Sequence, residues 1–361
     1  METMTVVGLD LGYGYVKATN GEQDILFPLD LGYGYVKATN GEQDILFPAV
    51  VGDGFERTTM LGDVVPYEVV LETGQGRRHL FLGELAEREC LDAIVNLSSR
   101  KHEDEDTEAL VLTTLALLMR DEGDAPRVVT GLPLAHYALQ KESLQQRLAH
   151  MQGAVTVEGR KLKVSAASVR VVPQAMGAMM AGLLDTRTLK PRDEALLRHG
   201  GYLLLVDIGT RTTGFVVFET RPFRYVESLS GSVDVGGHTF MQELSRLLGR
   251  VAGESPSLSD RALYQELLET GSVFFGGRMH TLTDEVDMVR QRVYTAVMRE
   301  VMAKLGAQTL GKVQAVFLAG GAGAGAARYF QSHFARVEVL PDAQMANARG
   351  FRLFDLATEL S

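Results

Sequence analysis

Three glycine turns, each closing an apolar run, are the residues of this chain whose types and spacing could do chemistry. The first is Asp10-Leu11-Gly12-Tyr13-Gly14-Tyr15-Val16-Lys17, after Thr5-Val6-Val7-Gly8-Leu9. The second is Asp207-Ile208-Gly209-Thr210-Arg211-Thr212-Thr213, and the third is Gly320-Gly321-Ala322-Gly323-Ala324-Gly325, after the apolar stretch from Val316 to Ala319. Glycine lets backbone N–H groups converge on phosphate oxygens, and an Asp at a strand end can order Mg²⁺ through water. Any one of these turns alone reads as a plain tight turn, since glycine is the default residue of turns. Together, in this order and spacing, they describe phosphate-binding chemistry.

Such turns need strands to hold them. Short β-like runs recur in the first 83 residues, at Thr5 to Asp10, Tyr15 to Thr19, Ile45 to Val51, Val64 to Leu71 and His79 to Leu82. Helical periodicity follows in Glu84 to Leu91 and Thr107 to Arg120, then a buried strand at Arg127 to Thr130 and a helix from Tyr137 to Ala149. Past Pro173 the pattern restarts, with a helix at Ala175 to Leu184, a strand at Tyr202 to Asp207 and a strand at Gly214 to Phe218. Asp284 to Leu305 reads as a long amphipathic helix, and Val316 to Ala319 and Val337 to Leu340 as closing strands. Both halves place an Asp-x-Gly turn between two apolar strands, as expected of two related α/β lobes facing one cleft.

Residues 9–28 are repeated without a mismatch in residues 29–48. Old structural repeats drift apart and solenoids need about three or more units, so two identical copies indicate a recent or engineered tandem duplication. The unit contains the first glycine turn, and the copies compete to supply it. If copy two supplied the central strand, Pro28 would stand where copy one has Gly8, and proline cannot donate to the ladder. Copy one is therefore expected to hold the turn, with strand three taken from Phe47-Pro48 onward and the extra 20 residues emerging as a loop at Asn20-Gly21. On that expectation Asp30, Gly32 and Lys37 are off-site, and the displaced Ile25, Leu26, Phe27, Tyr33 and Tyr35 form an exposed hairpin open to strand pairing.

The net charge of −10 argues against a surface that holds nucleic acid by counterion release. The single cysteine, Cys90, cannot form an internal disulfide and reads as packing in a reducing compartment. The eight histidines show no ligand spacing, and the acidic run from His102 to Asp106 reads as a solvated helix N-terminus. No secretory signal opens the chain, and its longest apolar stretches, Ala109 to Met119 and Val171 to Leu184, are shorter than the ~20 residues that span a bilayer. A cytoplasmic protein with no membrane span is expected, its mature start at residue 1.

Over nearly its whole length the sequence resembles the actin-like ATPases of the actin, Hsp70 and sugar-kinase superfamily, most closely the ParM-like and archaeal actin-like branch. The Asp10 turn looks like that family's first phosphate loop, the Asp207 turn like its second, and Gly320-Gly321-Ala322-Gly323 like its adenosine motif. Val129-Thr130-Gly131-Leu132-Pro133-Leu134 matches a segment of the ParM-like branch, and Asp234-Val235-Gly236-Gly237-His238-Thr239 resembles the glycine turn near the ribose. Pro173-Gln174-Ala175-Met176-Gly177-Ala178 matches the first connecting helix, and Ala346-Asn347-Ala348-Arg349-Gly350 the closing one.

The resemblance implies an α/β actin-like fold of two lobes, residues 1–172 and 173–345, with 346–361 returning to the first. It implies Mg-ATP in the cleft, with GTP left open, and a filament-forming homopolymer serving plasmid segregation or cell organisation through an adaptor that links it to DNA. A monomeric ATPase module or a small-molecule kinase is the alternative. Lys17 would meet the phosphates or else be a solvated strand residue, and Asp10 and Asp207 would hold Mg²⁺ through water or else cap turns. Gln174 would position the attacking water or else cap its helix. Gly12, Tyr13, Gly14, Gly209, Thr210, Arg211, Thr212, Gly236, Gly237, Gly320, Gly321 and Ala322 would line the nucleotide. Arg211 stands where the family often has a small or acidic residue, and Ala322 where a hydroxyl is common.

Overall fold

The apolar runs preceding the glycine turns are all strands in the computed structural model, which describes residues 6–12, 15–19, 35–39, 43–55, 67–90, 94–95, 105–119, 126–132, 134–185, 188–258 and 260–359. The chain divides into two units. The first includes Gly34–Arg192 and Met345–Ser361 together with the N-terminal strands, and the second includes Asp193–Gln344.

In the first unit, β1 (Val6–Gly12), β2 (Tyr15–Thr19), β3 (Tyr35–Thr39), β4 (Asp44–Pro48), β9 (Arg127–Leu132) and β12 (Ser168–Pro173) form one sheet in the order β12-β9-β1-β2-β3-β4. A second sheet runs β11-β10-β6-β7-β5-β8, from β5 (Val50–Asp53), β6 (Glu68–Thr73), β7 (Gly76–Leu82), β8 (Ile94–Val95), β10 (Gln152–Val157) and β11 (Arg160–Ser165). Helix α1 (Gly83–Glu89) follows β7, and α2 (Glu105–Leu118) packs against β10 and β11 of the second sheet and β3 of the first. Residues Ala109 to Leu118 of α2 are all buried, so its continuous apolar run is that of a core helix. Helices α3 (Leu134–His150), α4 (Gln174–Leu183) and α10 (Ala346–Glu359) complete the unit.

Three sequence expectations change here. The run from Ile45 to Val51 is not one strand: it breaks after Pro48, and β4 pairs with β3 while β5 pairs with β7 in the other sheet. Pro48 has no N–H for a ladder, which suits it to a strand end. The repeated segment is not wholly an inserted loop either, because β3 comes from copy two and lies parallel to β2, with Val16 opposite Val36 and Lys17 opposite Lys37. A β-prone string that forms a strand once has the same propensity the second time, and the otherwise open edge of β2 offers it a ladder. Val36 is fully buried and Lys37 only 1% exposed. The hairpin β10–β11 was not foreseen, although Leu162 and Val164 face the core between exposed lysines, and its turn residues Glu158 and Gly159 both have positive φ.

In the second unit, α5 (Ala195–Arg198) leads into a sheet of β13 (Tyr202–Ile208), β14 (Thr213–Thr220), β15 (Phe223–Tyr225), β16 (Gly231–Val233), β19 (Val313–Ala319) and β20 (Val337–Val339). Its order is β15-β14-β13-β19-β20, with β16 beside β14. β13 is antiparallel to β14 and parallel to β19, and Leu203 to Val206 have no exposed surface. Helices α6 (Gly237–Ala252), α7 (Arg261–Thr270), α8 (Thr283–Leu310) and α9 (Gly323–Gln331) surround it, with a separate hairpin of β17 (Ser272–Phe275) and β18 (Arg278–Thr281). The helical geometry of α8 is interrupted at Gly306, whose φ is 69°. The changeover between these compact units falls at Arg192/Asp193, and α4 packs with α10 and with β9 and β12 of the first.

Candidate functional site

In the second unit the sheet brings three of the expected motifs together. Asp207 lies near the end of β13, 8% exposed, and the Gly209 turn behind it closes with the Gly209 N–H donating to the Thr212 carbonyl at 3.0 Å. The Gly236-Gly237 turn folds onto this loop: Gly237 N–H donates to the Gly209 carbonyl at 2.9 Å, and His238 N–H to that of Thr210 at 2.6 Å. A Cβ on Gly236 would stand 2.6 Å from the Gly209 carbonyl oxygen, so only glycine permits this approach. The third motif closes on the other side. Ala322 N–H donates to the Ile208 carbonyl at 3.3 Å, and a Cβ on Gly320 would run into that carbonyl and the Asp207 carboxylate. Gly320 also has a φ of +83°, in the region glycine favours.

A cavity of about 510 Å³ lies beside this knot, lined by Phe240, Leu268, Glu269, Arg290, Tyr294, Ala324, Gly325, Ala327, Arg328 and Gln331. Phe240 comes from α6, which starts at Gly237, and Ala324 and Gly325 continue directly from Gly323, so the cavity adjoins two of the motifs. Tyr294 forms part of its wall, its ring 5.0 Å from that of Phe240 and its hydroxyl donating to the Ala322 carbonyl at 3.0 Å. Burial pushes that hydroxyl's pKa up, which keeps it a donor. Gly325 leaves room for it, since a Cβ there would collide with the Tyr294 oxygen.

The charged groups of the site are tied in pairs. Arg211 lies 3.8 Å from Asp234, with Asp234 80% exposed. Burial and then the nearby Arg211 hold the His238 imidazole below its ordinary pKa. Arg290 donates to Asp287 at 2.7 Å and to the Leu268 carbonyl, while Arg328 donates to the same Asp287 oxygen at 3.3 Å. Hydrogen bonding from Arg290, reinforced by Arg328, holds the Asp287 carboxyl below the usual carboxylate range.

In the first unit, β1 and β9 run parallel, with Asp10 opposite Gly131, and β12 on the far side of β9 leads into Gln174 at the start of α4. A Cβ on Gly131 would stand 2.8 Å from Gln174 Cα. The backbone thus brings Asp10 and Gln174 to the same end of one sheet through Gly131. Gly12 ends β1 and Lys17 lies in β2, opposite Asp10. Tyr13, Gly14, Asp30 and Gly32 lie outside the described residues. Among the described residues no group of three or more His, Cys, Asp or Glu is arranged to hold a metal, and no helix is long and apolar enough to cross a membrane.

Sequence reasoning missed the cavity residues Glu269, Arg290, Tyr294 and Arg328, because their helices read only as amphipathic. One signal was there: Gly323-Ala324-Gly325-Ala326-Ala327 opens α9 with five small residues, among them the Gly325 that lets Tyr294 approach. Cys90 packs against a small cluster of Val50, Phe81, Leu85 and Ala86. The acidic run meets a partner where described: Arg78 reaches Asp106 at 3.2 Å and Glu105 at 3.7 Å.

Residues 29–177 match the family model for actin-like proteins, N-terminal domain, and residues 205–333 that for archaeal actin homologue MreB-like, C-terminal. The first match begins at copy two of the repeat, whereas β1 is built from copy one. No curated protein sequence matches the chain. Among solved structures, a 15-stranded ParM filament from Clostridium botulinum is 20% identical with a TM-score of 0.77, covering 98% of this chain and 100% of that one. The archaeal actin homolog Ta0583 in complex with ADP is 21% identical with a TM-score of 0.72, covering 99% and 100%. Bacillus thuringiensis ParM with ATP is 15% identical with a TM-score of 0.67, covering 100% of both. At these identities the structures establish the fold.

Proposed function

The chain is an actin-like protein, and from that premise we propose that it binds a Mg²⁺-bound purine nucleoside triphosphate, hydrolyses it and polymerises into filaments. One observation carries the reading: the Gly209, Gly236 and Gly320 turns are hydrogen-bonded into a single knot beside a cavity of about 510 Å³. Glycine turns of this kind present backbone dipoles to phosphate, and the adjoining cavity has aromatic walls and a polar rim suited to a purine. The chain is similar over nearly its whole length to proteins seen with ATP, with ADP and in a filament, which supports the same assignment.

The residues divide the work. The Thr210–Thr212 loop and the Gly12 turn would hold the phosphates, with Lys17 as a point charge. Magnesium is a hard cation that takes oxygen ligands and keeps most of its waters, and the carboxylate of Asp207, near the end of β13, would hold it through water together with that of Asp10. Bound there, the ion would neutralise charge on the phosphates. Gln174, at the start of α4 and adjoining Gly131, would orient the attacking water through its amide, and Asp207 would accept its proton. Gly236, Gly237, Gly321 and Ala322 would line the ribose and the base. Filament formation follows if a heterologous self-contact does not close, and an adaptor would connect the polymer to its DNA cargo in the cytoplasm.

Nucleotide-dependent sedimentation and phosphate release, measured with ATP and with GTP on the full chain and on a chain lacking residues 29–48, test this reading. Hydrolysis with pelleting of the shorter chain is the expected result. Hydrolysis with no sedimentation at any concentration would replace the filament by a monomeric ATPase or kinase, and no binding of either nucleotide would overturn the reading altogether.

A further inference from the structure

Two guanidinium groups on the cavity rim are held by one carboxylate. Arg290 of α8 donates to Asp287 at 2.7 Å and to the Leu268 carbonyl, and Arg328 of α9 donates to the same Asp287 oxygen at 3.3 Å. Arg328 is fixed a second time by Tyr329, whose hydroxyl lies 2.7 Å from its Nη2 and whose ring centroid is 4.9 Å from its Cζ. It also lines a second cavity of about 320 Å³ with Asp284, Asp287, Met288, Gln291 and Tyr329, so it stands as a wall between two spaces. Arg290 is partly buried, whereas Arg328 is 58% exposed and is held in place by these contacts. Each guanidinium carries five N–H donors, so both retain donors beyond those given to Asp287, Leu268 and Tyr329.

The other polar groups of the larger cavity are Glu269 and Gln331. Gln265 donates to one Glu269 oxygen at 2.9 Å, and a carboxylate has further acceptor sites. A carboxylate has a complement in either purine: the 6-amino group of adenine, or the N1–H and 2-amino groups of guanine. A guanidinium only donates. Its complement is the pair of acceptors O6 and N7 on guanine, whereas adenine offers N7 beside an amino group that would meet donors.

We propose that Arg290 and Arg328, positioned by Asp287, read the 6-oxo edge of guanine, so that this chain binds guanine nucleotides more tightly than adenine nucleotides. The inference rests on the reading that the cavity beside Gly323 takes the base. Removing donors that face a base edge changes the ratio between two bases, while a merely structural loss weakens both alike.

Binding of GDP and of ADP to the full chain, at one magnesium and one salt concentration, is the test, repeated on Arg328→Met and Asp287→Asn with thermal unfolding as the folding control. The wild type should favour GDP by about tenfold, within the range of one bidentate arginine contact. Both variants should bring the ratio toward one by weakening GDP more than ADP. Equal affinities in the wild type, a preference for ADP, or a GDP preference that survives both variants would overturn this inference while leaving nucleotide binding intact. Failure of the folded wild type to bind either nucleotide would overturn it together with the proposed function.

Discussion

The side-chain oxygen of Asn347 accepts a hydrogen bond from the backbone N–H of Ala178 at 3.1 Å, joining the start of α10 to the first turns of α4. The two helices can approach this closely because small residues meet: a Cβ on Gly177 would collide with the Asn347 carbonyl, and one on Gly350 with the backbone of Gly177. Asn347 is 2% exposed, so its amide has little water to fall back on. Replacing it by alanine should cost about 1–3 kcal/mol, the penalty of a buried group losing its partner. Thermal unfolding would show it, and Gly350→Ala should be at least as damaging.

Asp207→Asn keeps the size of the side chain at the end of β13 and removes its charge. Nucleotide should still bind, and the rate of phosphate release should fall by about a hundredfold or more, the usual contribution of a positioned acid or base. A single-turnover measurement at saturating nucleotide separates the two. Unchanged release would remove Asp207 from the chemistry.

Gly320→Ala forces a residue with φ of +83° to carry a Cβ that meets the Ile208 carbonyl and the Asp207 carboxylate. The left-handed backbone alone costs about 1–2 kcal/mol and the overlap adds to it. Nucleotide affinity should drop along with the melting temperature. The more remote Gly253→Ala, also at positive φ but with open space around its Cβ, should lower stability only.

His238 gives the stability a pH dependence. Burial and then Arg211 depress its folded pKa below the ordinary 6.5, so the unfolded chain binds its proton first. The contribution is present above about 6.5 and is lost as pH falls from there through the folded value, because the unfolded state holds more protons in that window. Melting temperatures taken from pH 7.5 to 5 should therefore fall less steeply for His238→Gln than for the wild type. Arg211→Ala, which removes the neighbouring charge, should also flatten the slope.

Deleting residues 9–28 or residues 29–48 yields the same shorter sequence, in which β1 and β2 lead directly to Asp-Ile-Leu-Phe-Pro and Ala49. That chain no longer has to accommodate β3 between β2 and β4. It should unfold at higher denaturant, because a shorter chain loses less conformational entropy on folding. A denaturant titration of both chains checks the sign.

The two glycine turns of the second unit were legible because each follows a strand that is apolar on both faces: Leu203 to Val206 and Val316 to Ala319 are buried throughout, and such runs announce themselves. The connecting helices were legible only through the family resemblance of the segments 173–178 and 346–350, in which Gly177 and Gly350 allow the close approach of α4 and α10. What escaped was contact between distant elements. Nothing local to Arg290, Tyr294 or Arg328 says that α8 and α9 open a cavity between them, since a charged residue on a helix usually faces water. The split of Ile45–Val51 between two sheets escaped for a related reason, because periodicity describes a strand's faces and not which sheet receives it.

The parallel pair of β2 and β3 has translational symmetry: a shift of 20 residues along the chain returns the same Tyr-Val-Lys-Ala-Thr. A ladder reads only backbone, so within those five residues it carries no label for which copy is which. Asymmetry enters through the flanks, chiefly where Gly8 precedes copy one and Pro28 precedes copy two. One imino acid thus acts as the parity mark of the sheet. Erasing it with Pro28→Gly would leave two threadings close in free energy, and a protein with one native register would become one that samples two.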